Sequence, residues 1–276
     1  MRNSSLKSVG LIFMLFFLVF TSGFSSDTIQ NSETGRGFQK QHDKYFLRGG
    51  IGSQGILSLI YPSDINVYTN DLYGFIKKSF SAFNSGNEPK EIHWGYGYSV
   101  KLDLRALNLF QLAFYWDRFY SFPLEVLFDE MITMYSLKAT YKFQVAYDEK
   151  GISLLFVPGS KTKNIFLTVG GGVGLLKGQF TQTVSGYKRV KGKNTDLDAT
   201  QTYKGSTYAY HGTVGLTFVP WHYLELELVL NGRYALIRSL TDDSGAVFTN
   251  PYMGNETITL NLSGADLRVG FKFIFP

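Results

Sequence analysis

Few residues in this chain have the chemistry to act as nucleophiles, bases or ligands. The sequence has no cysteine, which removes thiolate nucleophiles, thiolate metal sites and disulfides. It has four histidines, His42, His93, His211 and His222, and only His211 falls in a regular pattern, with Thr213 two residues on. That spacing puts both side chains on one face of a strand. No serine occupies the matching place, and a hydrogen-bonded histidine in a polar interior accounts for the pair without catalysis. Gly170, Gly171, Gly172 and Gly174 cluster, yet the helix that a phosphate-cradling loop needs does not follow them. No metal-ligand grouping or dinucleotide fingerprint occurs. The expectation is a protein without enzyme activity, metal or cofactor.

Charge is the second resource. The chain of 276 residues has 27 Lys and Arg against 22 Asp and Glu, a net +5, and only 18% of it is charged. That excess is too small to favour nucleic acid as a partner. The positively charged residues follow a pattern, however. Lys101, Asp103 and Arg105 alternate with apolar residues, as do Lys138 and Lys142, Glu225, Glu227 and Arg233, and Arg268 and Lys272. Arg48 joins the same set. If these rows face the inside of one closed structure, they form an ion-paired network, because charges out of water persist only when paired and hydrogen-bonded. Basic residues outnumber acidic ones in this list, so a narrow anion-preferring path is the competing reading. A separate basic run, Lys188, Arg189, Lys191, Lys193 and Lys204 with only Asp196 and Asp198 among it, reads as a solvated loop. Its sharper reading is contact with an anionic glycan or another acidic host molecule.

The elements that carry these rows have a period of two. In 94–106, Trp94, Tyr96, Tyr98, Val100, Leu102, Leu104 and Ala106 share one face, and small or charged residues share the other. The same alternation runs through 135–147, 207–218, 224–237 and 267–275, and more weakly through 45–53, 110–120 and 164–180. In 135–147 the apolar set (Tyr135 to Tyr147, odd numbers) is assigned outward and Lys138 and Lys142 inward. That makes eight strands. The connections 54–93, 121–131, 181–206 and 238–256 are long, and 107–109, 148–163 and 219–223 are shorter. Aromatics gather near strand ends, as in the girdles of membrane barrels. Ile258, Leu260 and Leu262 are even-numbered while Leu267 to Phe275 are odd, which predicts a β-bulge near Ser263, Gly264 and Ala265. Within 54–93, Leu72, Phe75, Ile76, Phe80 and Phe83 recur at helical spacing, predicting a helix over 70–86 capped at Asn70 or Asp71 and ended by Gly86.

The N-terminus reads as an export signal over 1–25: Arg2 and Lys7, then an apolar run from Val9 to Phe20, then small residues. A polar, flexible segment over 26–43 follows, and the barrel is expected over 44–276. No later segment is apolar for long enough to be a spanning helix, so a membrane form of this chain must be a closed β-barrel.

The closing residues Leu262-Ser263-Gly264-Ala265-Asp266-Leu267-Arg268-Val269-Gly270-Phe271-Lys272-Phe273 resemble the last strand of small outer-membrane β-barrel proteins of the OmpA/OmpW-like kind. The glycine-alternating run 164–175 is similar to their middle strands. The resemblance implies an all-β, up-and-down barrel with long extracellular loops and residence in the bacterial outer membrane. It further implies contact with membrane lipid and lipopolysaccharide, and insertion by the barrel-assembly machinery that reads a terminal aromatic, here Phe275 before Pro276. A monomer is expected. Its role is expected to be structural, or a narrow passive route for small molecules, hydrophobic ones among them. The loop helix is expected to pack on the barrel lip or lie in the membrane interface, and the alternative that the resemblance implies is a lid over a hydrophobic entry. Surface-loop adhesion and lipid A modification are the alternatives.

Overall fold

The computed structural model describes residues 47–79, 84–85, 89–106, 109–132, 135–158 and 164–275. The export signal, the polar segment, Phe80, Phe83 and Gly86 lie outside them. Along the chain run β1 (Leu47–Ile60), α1 (Ser63–Ser79), β2 (Asn84–Ser85), β3 (Trp94–Ala106), β4 (Phe110–Ser121), β5 (Leu124–Ile132), β6 (Tyr135–Phe156) and β7 (Ile165–Val190). Then come β8 (Lys193–Asp196), β9 (Ala199–Trp221), β10 (Leu224–Tyr234), β11 (Leu236–Ile237), β12 (Thr249–Asn250), β13 (Glu256–Thr257), β14 (Leu260–Asn261) and β15 (Gly264–Phe275).

Eight of the strands close on themselves. β1 pairs with β3, β3 with β4, β4 with β6, β6 with β7, β7 with β9, β9 with β10, β10 with β15, and β15 with β1, all antiparallel. Following paired residues round this ring from Gly49 leads back to β1 at Leu59, ten residues further along. This stagger tilts the strands and leaves an interior that side chains can fill, as expected for eight strands. The eight-stranded antiparallel barrel read from the alternation is the fold observed.

The strands run further than their alternation suggested. Residues 54–60 belong to β1, and 181–190 and 199–206 extend the β7–β9 hairpin. β6 continues through 148–156, so that stretch is neither a turn nor an added strand. Residues 124–132 form β5, which prolongs β4 beside the same β6. A bulge joins the two pieces: between the pairs Tyr120–Ala146 and Leu124–Phe143, three residues face two. Pro123 sits in it, where its missing N–H breaks no ladder bond, and the Val145 N–H donates to Ser121 Oγ at 2.9 Å.

The bulge expected near Ser263 is absent. Arg233 pairs with Gly264 and Leu236 with Asn261, so equal lengths of chain face each other across the gap. Ser263 Oγ accepts the Ala235 N–H there at 3.0 Å. Even-numbered residues point inward throughout: Ile258, Leu260 and Leu262 are buried, and so are Asp266, Arg268 and Lys272. The face never changes, but the lining changes from apolar to charged.

That apolar upper lining forms the core. Phe119, Phe143, Val145, Leu176, Phe180, Leu260 and Leu262 pack with Ile65, Tyr68, Leu72 and Ile76 of α1. The helix starts seven residues before the expected cap, after Pro62, with Ser63 and Asp64 in its first turn. Asn70 and Asp71 lie mid-helix. Leu72 and Ile76 are buried as the spacing predicts, whereas Phe75 is 53% exposed, with its ring 5.0 Å from that of Tyr252. Side-chain bonds tie the helix down. Asp64 accepts from the Thr259 hydroxyl (2.6 Å), the Asn66 amide oxygen from the Ile92 N–H (2.9 Å), and Asp71 from Asn250 (2.8 Å).

Candidate functional site

Below the apolar cap, inward positions of six strands bring charged and polar groups together in two layers. In the lower layer Lys272 (β15) lies 3.0 Å from Asp103, 2.8 Å from Glu225 and 3.1 Å from Glu227. Arg105 (β3) meets Glu225 (β10) with both terminal nitrogens, at 2.8 and 2.9 Å, and also donates to Gln111 at 3.0 Å. Lys101 and Gln54 close the layer on Glu227, at 3.3 and 2.6 Å.

In the upper layer Arg268 bridges Asp117 (2.7 Å) and Asp266 (2.8 Å). Arg233 contacts Asp266 at 3.1 Å, bonds the Tyr147 hydroxyl while lying over that ring, and donates its Nε to the Leu262 carbonyl at 3.0 Å. The Arg233 and Asp266 side chains have no exposed surface. A two-ended guanidinium–carboxylate contact such as Arg105–Glu225 fixes orientation as well as charge, so these layers tie together strands that are not neighbours in the ring.

Eight of the ten residues expected in this network are in it: Lys101, Asp103, Arg105, Glu225, Glu227, Arg233, Arg268 and Lys272. Arg48 is buried as well. Lys138 and Lys142 are not. Both are on the outside of the wall above the lumen, with Lys142 3.7 Å from Glu125. The odd residues Ala139, Phe143, Val145 and Tyr147 take the inside of β6 instead, because the lining there is the apolar cap. Three acids were missed, Asp117, Glu149 and Asp266. Asp117 and Asp266 stand on the inward rows of 110–120 and 266–272 and could have been found by continuing the alternation. Glu149 falls in a stretch that reads as a turn. With these three in and the two lysines out, acids and bases balance, and the basis for an anion-preferring path disappears.

His211 sits beside the upper layer. Contrary to the sequence expectation, a serine reaches it from another strand: Ser153 Oγ lies 2.9 Å from Nε2. Nδ1 is 3.3 Å from the Tyr115 hydroxyl, which donates to Glu149 at 2.6 Å. One proton order satisfies every contact, with Ser153 donating to Nε2, Nδ1–H to Tyr115 and Tyr115 to Glu149. The β7 glycines make the space. A Cβ on Gly172 would come within 2.6 Å of His211 Nε2, and one on Gly174 within 2.6 Å of the Tyr115 oxygen. The adjoining cavity is about 30 Å³, room for about one water. Among the described residues no group of His and acids could hold a metal.

The outer wall is the inverse of the lumen. Trp94, Tyr96, Trp116, Tyr208 and Tyr234 are exposed toward the loop end, and Phe110, Phe156, Trp221, Phe273 and Phe275 toward the other, with exposed Leu, Ile and Val between.

No protein-family model matches the sequence, and no curated protein matches it. Several solved structures align with this chain. Ail of Yersinia pestis aligns at 11% identity over 84% of this chain and all of its own, with a TM-score of 0.38. OprG of Pseudomonas aeruginosa aligns at 9% identity over 82% of this chain and 95% of its own, TM-score 0.43. A major outer membrane protein of Thermus thermophilus aligns at 12% identity over 84% of this chain and all of its own, TM-score 0.44.

Proposed function

We propose that this protein is an integral outer-membrane β-barrel with a closed lumen, serving as a structural anchor that displays its loop end rather than as a channel. One observation carries the reading. The interior is filled along its length, first by two layers of paired charges and then by the apolar cap under α1. The apolar outer belt between two aromatic girdles supports the membrane placement, since a lipid-facing wall tolerates little charge. On this reading the export signal is cleaved, the barrel-assembly machinery inserts a monomer, and α1 is a fixed cap instead of a lid over a hydrophobic entry. The protein works without catalysis: the space beside Ser153 admits a water, not an acyl chain.

Recording from the refolded protein in planar bilayers tests this. The expected result is a silent membrane, with hydrophobic and ionic solutes alike excluded. Stable, ion-selective conductance steps would overturn the closed lumen. A second reading, contact with anionic glycans, is favoured by the tip of the β7–β9 hairpin, where Lys188, Arg189, Lys191 and Lys193 are all exposed.

A further inference from the structure

Charge on the outside of the barrel is confined to one sector. Outward positions of β1, β3, β10 and β15 carry no charged residue (Leu47 to Leu59 and Ala265 to Phe275 on odd numbers, Trp94 to Ala106 and Leu224 to Tyr234 on even ones). The outward rows of β4, β6, β7 and β9 differ. There Arg118, Lys177 and Lys204 line a concavity of about 360 Å³. The pairing sets Arg118 opposite Asp148 and Asp148 opposite Lys177, with Lys204 opposite Gln179 in the next outward row. In that same row Ala146 stands between Tyr120 and Gln179, and its short side chain leaves the hollow.

Immediately below, Trp116 faces Lys150 across the β4–β6 ladder, with the ammonium 5.9 Å from the ring centroid. Leu175 faces Tyr208 beside them. The groove therefore opens at the aromatic girdle, between a basic upper part and an apolar lower part. Cations at such a boundary cost little individually, but the four around this groove repel one another. Two acids offset them in part: Asp148 takes the Nε of Arg118 at 3.5 Å, and Asp243 bonds Lys204 at 2.9 Å. The sector keeps a positive balance where phosphate-bearing headgroups lie.

We propose that this groove binds the phosphorylated headgroup of a lipid in the leaflet at the loop end, held by Arg118, Lys177 and Lys204, with its acyl chains along Trp116, Leu175 and Tyr208. The inference rests on the membrane-barrel reading above. To test the two separately, the protein is first refolded into neutral phosphatidylcholine vesicles and scored for insertion by heat-modifiable gel migration. It is then extracted and probed with diphosphoryl lipid A by native mass spectrometry. One retained lipid per barrel is expected. Arg118→Gln/Lys177→Gln/Lys204→Gln should bind about a hundredfold more weakly, at about a factor of five for each cation near the membrane surface. Lys177→Gln alone, on an exposed side chain, provides a version that leaves both ion pairs intact and should show about one such factor. Lys191→Asn/Lys193→Gln at the hairpin tip should bind as the unmodified protein does.

Equal retention by the groove variants overturns the site, and so does equal loss in the tip variant. Undiminished retention of lipid A stripped of its phosphates, or displacement of the lipid by inorganic phosphate alone, also overturns it. Failure of the unmodified protein to insert into neutral vesicles would overturn the membrane reading, and this site with it.

Discussion

Lys272 holds three carboxylates at once, those of Asp103, Glu225 and Glu227, while 1% exposed. Removing one partner of a buried pair usually costs more than the pair itself contributes, because the other charge stays behind without compensation. Here three would stay behind, with Arg105, Lys101 and Gln54 to hold two of them. Lys272→Met is therefore expected to destabilise the barrel by about 3–5 kcal/mol, measured as a lower urea midpoint in vesicles. Lys142→Met, outside the wall and 3.7 Å from the exposed Glu125, should shift it by less than about 1 kcal/mol. An equal effect of the two substitutions would contradict the placement of these lysines. The contrast also shows how far residue identity alone can be read. Both lysines alternate with apolar neighbours in the sequence, and only the height of each in the barrel separates a lumen charge from a surface one.

Among the elements, most strands were legible and their ends were not. Period-two alternation identified β3, β4, β9, β10 and β15, because one face of each forms the apolar outer wall and the other the lumen. It misread β6 and the approach to β15 for a single reason. Where strands rise beyond the ionic layers, the inside becomes apolar, so the pattern inverts without any change in backbone register. Ile258, Leu260 and Leu262 looked like a shifted strand, yet they are the inward row of an unshifted one. The start of α1 was marked by Pro62, Ser63 and Asp64, a capping signal outweighed by the aromatic spacing further on. The serine beside His211 was illegible for a different reason, since Ser153 and His211 are on strands separated by β7 and meet only across its glycines. The depth of the cap leads to an element-scale expectation. Tyr68 sits among Phe180, Phe248 and Tyr252 and donates to Gln182 at 3.0 Å. Tyr68→Ala should cost about 3–5 kcal/mol of stability by emptying a packed aromatic site. Conductance should nevertheless stay absent, because the ionic layers beneath remain closed. A channel opened by Tyr68→Ala would show that the cap is the only barrier.

At the scale of the molecule, the loop end has its own response to acid. Asp242 accepts bonds from the Ser244 hydroxyl (2.6 Å), the Ser244 N–H (2.9 Å) and the Ala246 N–H (3.0 Å), and these donors hold its carboxyl below the usual aspartate range. A carboxylate with a lowered folded-state pKa contributes stability at higher pH and loses it as pH falls through that value. Amides of Ser244 and Ala246 should thus stay protected from hydrogen exchange at neutral pH and open only below about pH 4. Opening near pH 6 would assign the turn to another group. The barrel wall itself has a seam with a different kind of consequence. β1 and β15, the first and last strands of the ring, pair through twelve consecutive positions from Gly49–Phe275 to Ile60–Gly264 without a slip. Every other ladder of the ring joins strands that follow one another round the wall in chain order, whereas this one brings the first back to the last. Closure therefore depends on β15: without it the ring is an open sheet with two unsatisfied edges. A chain stopped within β15 would present those edges to its neighbours, as an aggregation-prone sheet instead of a shorter barrel.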